Sequence, residues 1–499
     1  MSMPQICKRL DAILKLMEPY WPWVNCHMVN FITDKHWVNF VPKEIQQELQ
    51  NPDDIQQCIE SVFWADQISD DTKFPETVAF IQTTQAHCLE NFKEILLTKD
   101  DLTKCVLKLS TELAQHPISI KEFLSEKKKH EVEMTASLVN DLIQGTSTNG
   151  SNTVVVDAGD GKGYLSSRLA LEYGYNVLGI DSNPSNTENA LERNKKLKKA
   201  WNGLKERAEL ESKGITPPRR GRQKQKPTDN ETQINSTGDN DNYKTVDKFI
   251  TTDLDINSLL DDHFPNVSTQ HTSVCLTGLH TCGNLASACL KLFHHQEKCK
   301  ILCNIGCCYH LLKEQYSGQE FFGNKHIVDM NPETGFPLSS YLQEKRTALG
   351  RNARMLAVQS TDRTKASKEL PNISLLYRAL FEILVCEAMP EMKDAIQVGK
   401  LRKFNNFQEY VELCKKKHHS LEVISQERID TIAAEGEHHK SHLDMFYLLR
   451  MSFAPVLETI ILLDRLLFLL ENGHKQSYIL AAFDAVVSPR RFAIISIKE

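Results

Sequence analysis

The chain has 499 residues, enough for two or three domains and a sizeable core. Its formal charge of −6 is mild for that length, so the overall balance announces neither a nucleic-acid nor a membrane protein. Fourteen cysteines are scattered, many beside aliphatic residues and with no secretory segment before them, which reads as reduced thiols in the cytoplasm or nucleus.

The N-terminal MSMPQICKRLDAILKLM lacks a long apolar core and a cleavage site. Residues 1–122 carry helical patterns with little strand character, and Trp21, Trp23, Phe31, Trp37 and Phe40 supply core-type aromatics. We expect this helical N-terminal region to pack on, or cap, a later sheet. Leu124 to Val132, LSEKKKHEV, follows. By pattern it is a solvated basic helix face. By position, just before the first strand, it suits a segment folding over a ligand, with Lys127, Lys128 and His130 offered to an anion.

The chain is organised around Thr153 to Gly163, TVVVDAGDGKG. Four β-branched residues make a buried parallel strand, Asp157 ends it, and Gly159, Gly161 and Gly163 recur at every second position. A helical pattern then starts at Tyr164, with Leu165 and Leu169 on one face. Strand, glycine turn and helix form the first unit of a nucleotide-binding α/β fold, in which glycines allow close backbone approach and the helix start offers unpaired N–H groups. A second apolar run, Asn176 to Ile180, ends at Asp181 in NVLGIDSNP, where a carboxylate can accept from both hydroxyls of a ribose. The order D-x-G-x-G-x-G differs from the dinucleotide fingerprint and argues against a nicotinamide dehydrogenase. It is similar to the S-adenosylmethionine (SAM) methyltransferases of the Rossmann-like class.

Pro184 opens a Lys- and Arg-rich helix to about Leu204. Residues 205–245 are then nearly devoid of large apolar side chains and read as a disordered insertion, basic in PPRRGRQKQK and polar to acidic in TDNETQINSTGDNDN. The basic segment 193–226 is a candidate nucleic-acid contact. The third strand is expected at Lys248 to Leu254, closing on Asp253. The fourth, Ser273 to Leu279, runs into His280-Thr281-Cys282-Gly283, and the fifth, Ile301 to Ile305, into Gly306-Cys307-Cys308-Tyr309-His310. Ligands of open α/β sheets bind beyond the carboxyl ends of the strands, which places the chemistry there. Residues 311–473 are mostly helical, a long insertion before the last two strands. Within it, Val456 to Leu470 is broken by Glu458, Asp464 and Arg465 and reads as a buried helix rather than a membrane span. Tyr478 to Phe483 and Arg491 to Ile497 close the sheet as a hairpin.

Taken in order, SEKKKHEV, VVVDAGDGKGYLS, GLHTCGNLA, CNIGCCYHL, GFPLSSYL and the ending LRMSFAPVLETIILLDRLLFLLENG…FDAVVSPRRFAI resemble the methyltransferase-like protein 25 family. Glu126 stands where that family usually has Pro, and Asp160 where it prefers a small residue. The pairing of an H-x-C-G strand end with a later C-C-x-H is also similar to transfer-RNA 2′-O-methyltransferases of the Trm-thirteen type. The resemblance implies a class I SAM-methyltransferase sheet (residues 123–204 and 246–499), SAM as cofactor, and Asp157, Gly159, Gly161, Gly163, Asp181 and Asp253 as its binding residues. It implies a methyl transfer whose acceptor is RNA, with a protein acceptor or a non-catalytic SAM-binding protein as alternatives. His280, His310 and Lys128 are the candidate catalytic residues, His280 as a base for an acceptor that must lose a proton. Asp160 is expected to set a second carboxylate beside the methionine end of SAM. Cys303, Cys307, Cys308 and His310, with Cys282 and His280 across the crevice, invite a metal, but the spacing lacks paired C-x-x-C and we assign no metal ligand.

Overall fold

The computed structural model describes residues 2–69, 71–108, 120, 124–146, 153–216, 242–267, 272–316, 334–393, 396, 398–399, 401 and 403–498. Eight strands form one sheet: β1 (Leu96–Leu97), β2 (Thr153–Ala158), β3 (Asn176–Asp181), β4 (Tyr243–Asp247), β5 (Ser273–Thr281), β6 (Cys299–Gly306), β7 (Gln476–Ala481) and β8 (Phe492–Ile497). Their order is β1-β7-β8-β6-β5-β2-β3-β4. All neighbours run parallel except β8, which lies antiparallel between β6 and β7. Apart from the short edge strand β1, this is the seven-strand order of the Rossmann-like methyltransferases, with the closing hairpin that the alternation near the C-terminus predicts. The central strands are buried on both faces, as parallel strands covered by helices must be.

The helices that position the crevice are α1 (Met3–Met17), α2 (Glu126–Thr146), α3 (Tyr164–Glu172), α4 (Pro184–Ser212), α5 (Asn284–His295) and α6 (Ala454–Glu471). Helix α2 packs on α3 and on the β5 and β6 strands. Helix α6 is almost wholly buried. Its Asp464 accepts from the Leu338 and Ser339 amides at 2.8 and 2.9 Å and from the Ser339 hydroxyl at 2.7 Å, which ties down the GFPLSSYL segment. No described helix is long and apolar enough to cross a membrane.

Two expectations change. The third strand is β4, ending at Asp247, so Asp253 sits in the connection to the next helix rather than at a strand end. Tyr243 and Val246 are the buried positions there, and the KFITTDL run leaves Phe249 exposed, so it lacks the inward alternation of a strand. Both ends of the 205–245 run belong to ordered elements: α4 continues to Ser212 and β4 begins at Tyr243, while residues 217–241, with the PPRRGRQKQK run, lie outside the described residues. The N-terminal region supplies the edge strand β1 and packs chiefly on the helices of the C-terminal half. Tyr20, Trp23, Phe80 and Phe453 form one aromatic cluster, and Arg450 donates to the Trp23 and Val24 carbonyls at 3.2 and 2.6 Å.

Candidate functional site

The glycine turn after β2 is built as its spacing predicts. Gly159, Gly161 and Gly163 have φ of +74°, +58° and +68°, a region that L side chains rarely occupy. A Cβ on Gly161 would meet nothing closer than the Gly159 carbonyl at 3.8 Å, so the outer face of the turn is open. A Cβ on Gly163 would lie 2.5 Å from the Tyr243 hydroxyl and 2.8 Å from Ala190, so its inner side is closed. Asp181, at the end of β3, accepts from the Gly161 amide and the Asn183 amide, both at 2.9 Å, and from the Asn186 side chain at 3.1 Å. An ionised carboxylate has about four acceptor positions, so one stays available to a ligand hydroxyl.

Under the turn lies a buried acid pair. Asp157 accepts from Ser166 at 2.9 Å, and Asp160 accepts from the Tyr243 hydroxyl. Burial pushes the Asp157 carboxyl well above the ordinary range and the Asp160 charge adds to it. Burial also raises Asp160, to about 6, against hydrogen bonds from Tyr243 and Ser166 that favour its anion. Two carboxylates this close and this dry retain a proton towards neutral pH. The Asp160 carboxylate rests on Gly179 of β3, where an added Cβ would clash with it. It therefore points beneath the turn to Tyr243, and its influence on the methionine end of a SAM molecule runs through Asp157.

The other half of the crevice gathers residues far apart in the sequence. The His280 Nε2 lies 2.9 Å from Oε2 of Glu131, a side chain of α2 that is 1% exposed. Ser488, from the β7–β8 connection, donates to the other Glu131 oxygen at 2.6 Å, and Lys127 lies 3.6 Å away. Burial alone would raise the Glu131 carboxyl; the hydrogen bonds from His280 and Ser488 and the nearby positive charge outweigh it and hold it below its ordinary value. An ionised carboxylate only accepts, so Nε2 carries the imidazole proton, and Nδ1, with no hydrogen bond among the described residues, has its lone pair outward. His280 itself has φ +67°, a strained backbone for a bulky residue.

The remaining candidates are placed as follows. Lys128 lies over the Tyr164 ring at the mouth of the glycine turn, 5.1 Å from its centroid, with Arg193 at 3.9 Å from the same ring. His130 accepts from the Asp484 amide at 3.2 Å and so braces the β7–β8 connection. His310 is exposed in a short turn, Tyr309–Leu311, and no hydrogen bond among the described residues joins it to His280. Asp253 is exposed, its carboxyl held low by a hydrogen bond from Thr251. Cys303 is buried within β6, away from the strand-end thiols. Cys282, Cys307 and Cys308 do converge, with their sulfurs 3.2, 3.3 and 3.5 Å apart. The hydrogen bond from Cys307 is the chief reason that Cys282 falls to about 5, while Cys307 and Cys308 are raised. Sequence reasoning missed Glu131, Ser488, Tyr243 and Ser166. Only Glu131 had a visible signal, an acid on the buried side of a helix otherwise read as basic and solvated.

Residues 127–315 match a family described as a methyltransferase domain. Two proteins, each named "Probable methyltransferase-like protein 25", are similar to the chain throughout. The Mus musculus protein is 29% identical over 606 positions, covering 100% of this chain and 97% of its own length. The Homo sapiens protein is 28% identical over 619 positions, covering 100% and 98%. Strand order, glycine turn and matched domain are those of the Rossmann-like methyltransferase fold. Within that class its full-length relatives are methyltransferase-like 25 proteins, the resemblance that the ordered motifs carry.

Proposed function

We propose that the protein is a SAM-dependent methyltransferase acting on RNA. The observation that carries the reading is the juxtaposition across two neighbouring strands. Asp157 pairs with Thr277, and His280 follows Thr277 by three residues, so the glycine turn and the Glu131–His280 pair share one crevice. The residues fit the cofactor: the turn is open at Gly161 and one acceptor position remains on Asp181. SAM supplies an activated methyl group on a cationic sulfur. Asp181 would hold one of its ribose hydroxyls, and Asp157 with the glycine amides would hold its methionine portion.

The chain's own residues align the acceptor and manage its proton. Transfer is an in-line displacement, so orientation and exclusion of water are the main contributions. His280 takes the proton of the acceptor at Nδ1, while Glu131 fixes the tautomer and stabilises the imidazolium. An RNA hydroxyl, or a ring nitrogen that carries a hydrogen, needs such a base. Lys195, Lys196, Lys198 and Lys199 on α4, all exposed, add a basic surface about three turns along the helix from Pro184. Asp160, one of the departures from the family pattern, is engaged by Tyr243.

Labelled SAM, incubated with RNA and protein fractions from cells lacking this protein, tests the proposal. Wild-type enzyme should label RNA and Asp157→Ala should not. His280→Ala should keep the rise in melting temperature that SAM gives to the wild type while losing turnover. Label confined to the protein fraction would replace the acceptor, and absence of any stabilisation by SAM would remove the cofactor.

A further inference from the structure

We infer that Cys282, Cys307 and Cys308 form a zinc site. Their three sulfurs stand at the corners of a near-equilateral triangle with edges of 3.2, 3.3 and 3.5 Å. All three lie within 4.8 Å of one another, at the joined carboxyl ends of β5 and β6. Such spacing is too long for a disulfide bond, about 2.05 Å, and tighter than unbonded sulfurs favour. A tetrahedral zinc with bonds of about 2.3 Å sets its thiolates ~3.8 Å apart, a few tenths of an ångström wider than the triangle. Small rotations about the cysteine χ1 angles open that gap. None of the fourteen cysteines is disulfide-bonded.

The tripod is held by contacts that do not involve sulfur. Gly283, with φ +55°, lets the turn after Cys282 press on Leu311; a Cβ there would be 2.8 Å from the Leu311 carbonyl oxygen. Asn284 accepts from the Lys313 amide at 2.8 Å, and Arg354 donates to the His310 carbonyl at 3.1 Å. The two thiol-bearing segments are thus fixed together before any ion arrives. Cys282 is exposed and Cys308 half-buried, which leaves a way in.

Charge is matched as well. Three thiolates around Zn²⁺ carry a net charge of −1. The Arg465 guanidinium is 1% exposed, and its Nη1 presses on Gly306, the residue before Cys307. Its Nε and Nη1 have no hydrogen-bond partner among the described residues. A buried cation left so is costly unless an anion lies near. Asp464 and Glu458 already act on it, and a zinc–thiolate group beside Gly306 adds to that negative charge. Each thiol gives its proton to solvent as the ion binds, and the fourth position stays open, as in zinc sites that exchange a ligand. The juxtaposition reverses the absence of metal expected from spacing alone, because Cys282 is brought in from the neighbouring strand. The site does not depend on SAM binding.

Full-length protein purified in reductant should contain about one zinc per chain by elemental analysis. Replacement by cobalt should give thiolate charge-transfer and tetrahedral ligand-field absorption. The double variant Cys282→Ser/Cys308→Ser should lose zinc and these bands, and Cys105→Ser should keep both. Because the double variant can fail to fold, native thiols of the wild type are also counted before and after chelation. Newly reactive Cys282, Cys307 and Cys308 after chelation, identified by mass spectrometry, support the site. Metal content untouched by the double variant, no cobalt–thiolate bands, or an unchanged thiol count would overturn it, as would a Cys282–Cys307 disulfide found under reducing conditions.

Discussion

The two halves of the crevice are made by opposite strategies. Around β2, β3 and β4 the parts lie close in sequence. Three glycines and Asp157, Asp160 and Ser166 fall within ten residues, and Tyr243 is the distant contributor that seals them from below. Around β5 and β6 each working group is assembled from separate segments, α2, two strand ends and the β7–β8 connection. A local turn is specified by backbone conformation. A convergent cluster is specified only once the sheet has formed. The first half should therefore break through sterics and the second through loss of single polar contacts.

The largest effect is expected at the glycine turn. In Gly163→Val a β-branched side chain would occupy φ +68° with its Cβ against Tyr243 and Ala190. The left-handed backbone costs ~1–2 kcal/mol and overpacking ~1–3 kcal/mol, so urea unfolding should shift by several kcal/mol and binding to SAM should vanish. Gly174→Ala, at φ +73° but with nothing within 4 Å of its added Cβ, should lose only the backbone part. Equal losses in the two variants would mean that Tyr243 does not close the turn.

In the second half, Glu131→Gln keeps the shape and removes the charge. Turnover should fall roughly 10²-fold, the scale of positioned acid–base assistance, with SAM affinity unchanged. Glu131 is held below its ordinary value, so its contribution to stability is present above the unfolded pKa of about 4.3 and fades as pH falls through the lower folded value. The variant should lose that acid-side dependence, read as the denaturation midpoint between about pH 3 and pH 5.

The same contrast explains what was legible in the sequence. Strand order, the glycine turn, Asp157 and Asp181 could be read because period and spacing encode them locally. Leu165 and Leu169 are both buried as their spacing requires. The strand β4 was misplaced by five residues because KFITTDL carries β-branched residues and ends in an acid, while Tyr243 was hidden beside a polar run. Its buried hydroxyl, on Asp160 and under Gly163, has no local signature. Glu131 was obscured by the lysines around it: Lys127 and Lys128 turn to Glu131 and Tyr164, and only the packing of α2 on the sheet shows which face is inward. The thiol triangle was invisible to spacing because Cys282 is 25 residues from Cys307 and reaches it across paired strands.

The smallest expected effect concerns Asp160, and its sign is the informative part. Its folded pKa is about 6, above the unfolded value of about 3.9, so the native state holds more protons between these values. Stability then falls as pH rises from about 4 to about 6 and levels off above that. Asp160→Asn keeps an oxygen for the Tyr243 hydroxyl and removes the repulsion on Asp157. The variant should match wild type near pH 4 and exceed it by roughly 1–3 kcal/mol at pH 7, measured by urea unfolding at the two values. With its neighbour neutral, Asp157 ionises more readily, so calorimetry at pH 7 should find SAM bound several-fold more tightly. A variant less stable than wild type at pH 7 would mean that the Asp160 anion is held there by Tyr243 to the benefit of the fold, and that the turn depends on this charge in addition to its glycines.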